Sequence, residues 1–202
     1  YRLNERTVLF GAISYNNWSG KEMTGSAFID PTRKPFNLVE SDLENAGKKH
    51  QDTYRLTGGV GVDVYQGISL GARIDYTSAN YAKYKDLRHK NKLMDLRVTA
   101  SVYAPVRKWM NVGADYQYHR NTESLEFGTY GKGDKVYKTL IDYGTFMGLT
   151  EQFGNEGYTD KTREMPLFED AHRGALQIEV LPLPALSILG SLSFSHGTGY
   201  YG

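Results

Sequence analysis

The chain has 202 residues, with 24 Lys and Arg against 23 Asp and Glu and a formal net charge of +1; no field gathers a polyanion, and nucleic acid is not an expected partner. It has no cysteine, which excludes disulfides and thiolate metal sites. Sixteen Tyr, 22 Gly and only six Pro fit many strands with aromatic ends better than a disordered chain.

Mean hydropathy is −0.53, and no apolar run approaches the roughly 18 residues of a membrane-crossing helix. A β-barrel turns only alternate residues to lipid, so a low average does not argue against a membrane. Tyr1 is not preceded by a basic, apolar leader, and the last strand lacks the terminal aromatic usual in outer-membrane barrels. The expectation is therefore a piece of a larger barrel.

Eight strands are expected in chain order: Thr7–Tyr15, Lys21–Asp30, Thr53–Val64, Ile68–Ala79, Leu93–Ala104, Met110–Phe127, His172–Leu181 and Ser187–Gly197. In the first, Leu9, Gly11, Ile13 and Tyr15 take the apolar face, and Val8 and Phe10 interrupt the alternation. The third and fourth are the clearest. Tyr54, Leu56, Gly58, Val60, Val62 and Val64, then Ile68, Leu70, Ala72, Ile74 and Tyr76, occupy even positions, while Arg55, Thr57, Asp63, Ser69, Arg73 and Asp75 occupy odd ones. A period of two with unlike faces is a strand with one side in oil and one in water.

The connection Tyr65-Gln66-Gly67 reads as a three-residue turn with Gly67 left-handed, which places Val64 opposite Ile68. The ladder then pairs Val62 with Leu70, Val60 with Ala72 and Leu56 with Tyr76 on one face, and Asp63 with Ser69, Gly59 with Arg73 and Thr57 with Asp75 on the other. Arg55 falls diagonal to Asp75. In the next hairpin Leu96, Val98, Ala100 and Val102 oppose Val112, Ala114, Tyr116 and Tyr118, leaving Asp95, Arg97, Asp115 and His119 on the wet face. Further on, Leu176, Ile178 and Val180 meet Ile188, Leu192 and Phe194, while Gln177 and Glu179 face Ser191 and Ser193. The glycines Gly58, Gly59 and Gly61 lack the Lys-Ser/Thr of a phosphate loop and are read as relief of crowding.

Connections alternate in length. Residues 65–67 and 105–109 are tight, whereas 31–52, 80–92 and 128–171 are long, and in outer-membrane barrels short turns face the periplasm and long loops the outside. The 128–171 segment, rich in aromatics, is expected to be a long extracellular loop serving as plug, lid or docking surface.

A soluble barrel or sandwich shares the period of two with its apolar face turned inward. Two features favour the membrane. The apolar faces end in Tyr54, Tyr76, Tyr116 and Tyr118 at one level and Trp109 at the other, as an interfacial girdle does. The opposite face carries both signs of charge in mid-strand. The expectation is an all-β, antiparallel transmembrane barrel over 1–202, lipid-facing at Leu56, Val60, Val62, Leu70, Ile74, Leu96, Val98 and Val112. Its lumen is expected to be lined by Arg55, Arg73, Asp75, Asp95, Arg97, Asp115, His119, Arg173 and Glu179, with Arg73 and Asp75 pairing to neighbours on adjacent strands.

The runs Tyr54-Arg-Leu-Thr-Gly-Gly-Val-Gly-Val-Asp-Val-Tyr65, Leu70-Gly-Ala-Arg-Ile-Asp-Tyr-Thr-Ser-Ala-Asn-Tyr81 and Lys85-Asp-Leu-Arg-His-Lys-Asn-Lys92 resemble an uncharacterised family of outer-membrane β-barrel proteins of the Bacteroidota. Tyr118 to Phe127 and Thr139 to Gly144 agree with it. The resemblance implies fold and a Gram-negative outer-membrane location, with members longer than this chain; it implies no catalytic residue.

Among constellations, Lys83, Lys85, Arg88, Lys90 and Lys92 with two tyrosines form a basic segment suited to anionic groups such as lipopolysaccharide phosphates, or simply to solvent. The lumen charges either bias a passage or satisfy one another. His119 beside Asp95 at the rim admits a hydrolase as the weakest reading; no enzyme, metal or cofactor is expected. The leading function is envelope transport or uptake, as a channel or an accessory of a larger transporter. The alternative is a structural barrel with a filled lumen whose loops bind a surface lipoprotein or another membrane protein.

Overall fold

The computed structural model describes residues 1–32, 35–131, 135–154, 157–159, 165–183 and 185–201. Among these, twelve strands run in chain order: β1 (Arg2–Asn4), β2 (Thr7–Met23), β3 (Gly25–Ser26), β4 (Asn37–Glu40), β5 (Gly47–Tyr65), β6 (Ile68–Lys83), β7 (Arg88–Arg107), β8 (Met110–Gly128), β9 (Lys138–Asp142), β10 (Gly148–Gln152), β11 (Met165–Leu183) and β12 (Leu186–Tyr201). They form an antiparallel eight-stranded sheet in the order β1-β2-β5-β6-β7-β8-β11-β12 and a four-stranded sheet in the order β10-β9-β4-β3.

The fold is all-β and antiparallel as the alternation requires, but neither sheet is closed into a barrel. The large sheet is nevertheless curled. Val8 and Phe10 of β2 and Arg173 of β11 line one trough of about 1020 Å³, although a flat sheet would hold those strands about 24 Å apart, at about 4.8 Å per step.

Register follows the expected face assignments. Val62 pairs with Leu70, Val60 with Ala72, Leu56 with Tyr76, Asp63 with Ser69, Gly59 with Arg73 and Thr57 with Asp75. Val102 meets Ala114, Ala100 meets Tyr116 and Val98 meets Tyr118. The first hairpin turns more tightly than expected. Gln66 and Gly67 are both left-handed (φ 46° and 82°), so Tyr65 rather than Val64 meets Ile68, and a bulge between Asp63 and Tyr65 restores the parity. In the last hairpin Leu176 meets Leu192 and Val180 meets Ile188, but Ile178 meets Gly190 and Glu179 meets Leu189, so only Gln177 stands opposite its expected serine, Ser191.

Boundaries moved where the alternation fades. Lys21–Asp30 is not a separate long strand: β2 continues through Met23, β3 holds two residues, and the chain then leaves the large sheet. The 80–92 segment is not a long connection, because β6 and β7 extend until only residues 84–87 join them. Strands of 16 to 20 residues exceed the roughly 9–11 of a simple oblique crossing, and their extensions at one end carry the second layer.

That layer supplies the buried apolar core. Ala27, Phe28, Phe36, Leu38 and Ile141 pack with Leu87 of the β6–β7 connection and with Leu125 and Phe127 of the large sheet, ringed by Tyr137, Phe153, Tyr158 and Tyr201. Part of 128–171 belongs here, since β9 pairs with β4 and β10 with β9. At this end the trough face becomes apolar and is capped.

The interruption at Val8 and Phe10 has a steric partner. Both residues turn into the trough, and the Phe10 ring lies across Gly59, where an added Cβ would also sit 2.8 Å from the Ala72 carbonyl oxygen. An added Cβ at Gly61 would meet nothing within 4 Å. Gly59→Ala is therefore expected to lower stability by about 1–3 kcal/mol in chemical unfolding, and Gly61→Ala to change it by less than about 0.5 kcal/mol. Equal effects at the two positions would contradict the packing described.

Candidate functional site

The trough is built by parity. Once β5 turns its odd residues inward, the ladder turns inward Arg73 and Asp75 on β6, Arg97 and Thr99 on β7, Asp115 and Gln117 on β8 and Arg173 on β11, all of which line it. Three rows cross the strands. Arg73, Thr99, Gln117 and Arg173 form one; Asp75, Arg97, His119 and Ala171 the next; Arg55, Thr77, Asp95, Asn121 and Glu169 the third.

Of the inward acids, Asp75, Asp95, Asp115 and Glu179 are engaged, whereas Glu169 makes no hydrogen bond or ion pair among the described residues. Asp75 accepts from Arg73 Nε at 2.7 Å and Nη2 at 2.8 Å, and from Thr57 Oγ1 at 2.8 Å. Arg73 thus pairs along its own strand rather than with a neighbouring strand as expected, because residues two apart on one face are near enough for a guanidinium to fold back in two-pronged contact. Asp95 takes His119 Nε2 at 2.7 Å, Asn121 at 2.8 Å and Arg97 at 3.5 Å. Asp115 accepts from Gln177, and Glu179 accepts from Asn111 and Ser187, each at 2.8 Å. Arg55 and Arg173, among the described residues, make no hydrogen bond or ion pair, so Arg55 does not reach Asp75. Charge in the trough is largely internally compensated, with two guanidiniums left to solvent.

The even face is the reverse. Leu56, Leu70, Ile74 and Val98 are exposed, with Val60, Val62, Leu96 and Val112 partly so, and the surface continues through Leu192 and Phe194 (75% and 78% exposed). An uncovered apolar face of this extent is far beyond the scattered exposure of ordinary surfaces. It ends in a polar aromatic fringe: Tyr15 lies against Tyr54, with ring centroids 4.9 Å apart, and donates to Asp52 at 2.6 Å, and Tyr116 bonds His172 at 2.6 Å.

The basic segment is split by the same parity. Lys83 faces inward and is buried against Glu40; Lys85 donates to the Glu44 carbonyl at 2.8 Å; Arg88 pairs with Asp86 at 3.0 Å and lies over Tyr130. Lys90 and Lys92 stay exposed on the even face. The five do not form one cluster.

What the sequence reading missed is the polar latch beneath the cap. Glu40 of β4 meets Lys49 Nζ at 3.0 Å, Lys83, and His89 Nε2 at 3.4 Å, all of them buried. Asn91 donates to the Ala27 carbonyl (2.7 Å) and to Glu123 (2.8 Å), and presents its oxygen to His89 Nδ1 at 2.9 Å. Lys49 also donates to the Ser26 carbonyl at 3.0 Å, and Glu123 accepts from the Ile29 amide at 3.0 Å. Every wall member sits at an odd position of β5 to β8. Extending the strand parity by one turn would have turned them inward; treating 31–52 and 80–92 as loops concealed it.

Burial alone pushes the Glu40 carboxyl up, but contact with His89 and the charges of Lys49 and Lys83 outweigh it and hold the group down at about 2. Burial pushes the His89 imidazole down, more than its neighbours raise it. Nδ1 of the ring faces the Asn91 oxygen at 2.9 Å, and Nε2 lies 3.4 Å from Glu40.

A base whose folded pKa lies below its unfolded value adds stability that is complete above the unfolded value near 6.5 and lost as pH falls beneath it; Glu40 adds a contribution present above about 4.5 and lost as pH falls toward 2. Amide exchange protection at 26–29 and 37–40, corrected for intrinsic rates, is expected to fall below pH 6.5. In His89→Gln it should stay flat until the carboxylates titrate. Glu40→Ala, which strands two buried lysines, is expected to cost about 3–5 kcal/mol in unfolding. Protection unchanged to pH 5 in the wild type would contradict the latch.

No curated protein and no solved structure is detectably similar to the chain. A family match runs over residues 1–200, essentially the whole chain and therefore both the curled wall and its cap. The chain belongs to this family, a family of unknown function (DUF6850).

Proposed function

We propose that the chain is wall and cap of an outer-membrane β-barrel of a Gram-negative envelope, working in transport or uptake as a channel or as an accessory of a larger transporter. The observation that carries this reading is the exposed even face. Hydrophobic area left in water costs roughly 25 cal/mol per Å², and acyl chains are the medium that relieves it over a band bounded by Tyr15, Tyr54 and Tyr116 at one level and Trp109 at the other. The curled polar face supports a hydrated interior. Closure then joins the edge formed by β1 and β2 to the edge at β12 through further strands of this or another chain.

The cap favours a second reading, a filled docking barrel whose loops bind a surface lipoprotein or another membrane protein, because the buried core lies across one end of the trough. Single-channel recording separates them: steady passage of ions supports a pathway, and silence supports a scaffold.

Because the chain lacks cysteine, single substitutions report cleanly on facing. In vesicles, Ser101→Cys is expected to react with a membrane-impermeant maleimide at least about tenfold faster than Val102→Cys, the neighbour on the lipid face. Equal rates would remove the membrane reading.

A further inference from the structure

The outer face carries a groove that neither the wall nor the cap requires. It has a volume of about 560 Å³; Ser78, Lys92, Met94, Thr122, Ser124 and Phe168 line it from the even face, and the odd-numbered Leu93 and Glu123 complete the lining. The ladder explains the convergence: Ser78, Met94, Thr122 and Phe168 form one row across β6, β7, β8 and β11, and Lys92 with Ser124 stands in the row above. Among the described residues the Lys92 ammonium and the hydroxyls of Ser78, Thr122 and Ser124 have no hydrogen-bond or ion-pair partner. One side of the groove is fixed by Phe168, stacked on Tyr200 with ring centroids 5.0 Å apart and approached by the Arg120 guanidinium at 6.0 Å.

Position gives the groove its chemistry. The next row down holds Tyr76, Leu96 and Arg120, and below it begins the apolar field of Ile74 and Val98. A ligand seated here has a cation and three hydroxyl donors at its head and hydrocarbon directly beneath. Glu123 is among the lining residues, but its carboxylate is engaged on the inner face, where it accepts from Asn91 and from the Ile29 amide. The other nearby acids, Asp170, which lies 3.7 Å from Arg120, and Glu126, one row above Ser124 beside Lys90, do not line the groove.

We propose that this groove binds the phosphoryl headgroup of a phosphorylated glycolipid in the outer leaflet, with Lys92 neutralising the phosphate, Ser78, Thr122 and Ser124 donating to its oxygens, and the acyl chains lying on the even face. An ionised acceptor makes such bonds shorter and stronger than neutral ones. The assignment rests on the membrane reading above and adds to it a lipid class and a site.

The test uses the protein in phosphatidylcholine vesicles doped with a bisphosphorylated lipid A or with its dephosphorylated form, measuring lipid retained after detergent extraction. Wild type is expected to retain the phosphorylated form about tenfold better, with Lys92→Glu losing that preference and the smaller change Ser124→Ala reducing it about threefold. Lys138→Glu, on the exposed end of β9, should leave it intact. Equal retention of both lipids, or a preference that survives Lys92→Glu, overturns the site while leaving the membrane reading standing. Displacement of the glycolipid by equimolar inorganic phosphate overturns the assignment to a lipid. Failure of the wild type to enter vesicles at all overturns both.

Discussion

Side chains two residues apart on a strand share a face, and a fixed antiparallel register passes that parity sideways to the neighbouring strand. With Leu56 outward, Tyr76 and Leu96 must follow on β6 and β7; with Arg73 inward, so must Thr99, Gln117 and Arg173. A slip of one residue anywhere would put guanidiniums among leucines. The bulge after Asp63 shows the constraint at work: the two-residue turn at Gln66 and Gly67 would shift the parity, and the extra residue restores it.

The second structural level is the join between wall and cap. The apolar core at Phe28, Phe36, Leu38 and Phe127 excludes water there, and any polar group within it must find its partner locally. Glu40, Lys49, Lys83, His89, Asn91 and Glu123 meet one another there. An ionic join of this kind adds little net stability compared with apolar packing, but it is costly to break by halves. It also fixes where the cap sits, since the backbone at Ser26, Ala27 and Ile29 is bonded directly to wall side chains.

Much of this was legible in the residues, and the failures have causes. The pairing of β5 with β6 and of β7 with β8 follows from alternation, because each of these strands presents one uniform face to each medium. The β2 strand was harder to read: Val8 and Phe10 are apolar side chains on the polar face, where Phe10 covers Gly59, a contact that no periodicity encodes. The extensions after Ala79 and before Leu93 escape the alternation because the inward face there changes from charged to mixed, with Tyr81, Lys83, His89 and Asn91 facing a protein layer instead of water. The pairing of Arg73 with Asp75 depends on side-chain reach, which spacing alone leaves open. The outer groove was hidden for a simpler reason: Ser78, Thr122 and Ser124 are unremarkable singly and meet only through two ladders.

The facing of the even side chains is the point on which the membrane reading turns. A nitroxide scan of residues 94–104 on β7, with the protein in vesicles, tests it most directly. The account predicts a period of two, with even positions accessible to oxygen and shielded from a water-soluble nickel complex and odd positions the reverse. A period of two in the opposite sense, or nickel accessibility at Leu96, Val98 and Val102 equal to that at Arg97 and Thr99, would contradict it.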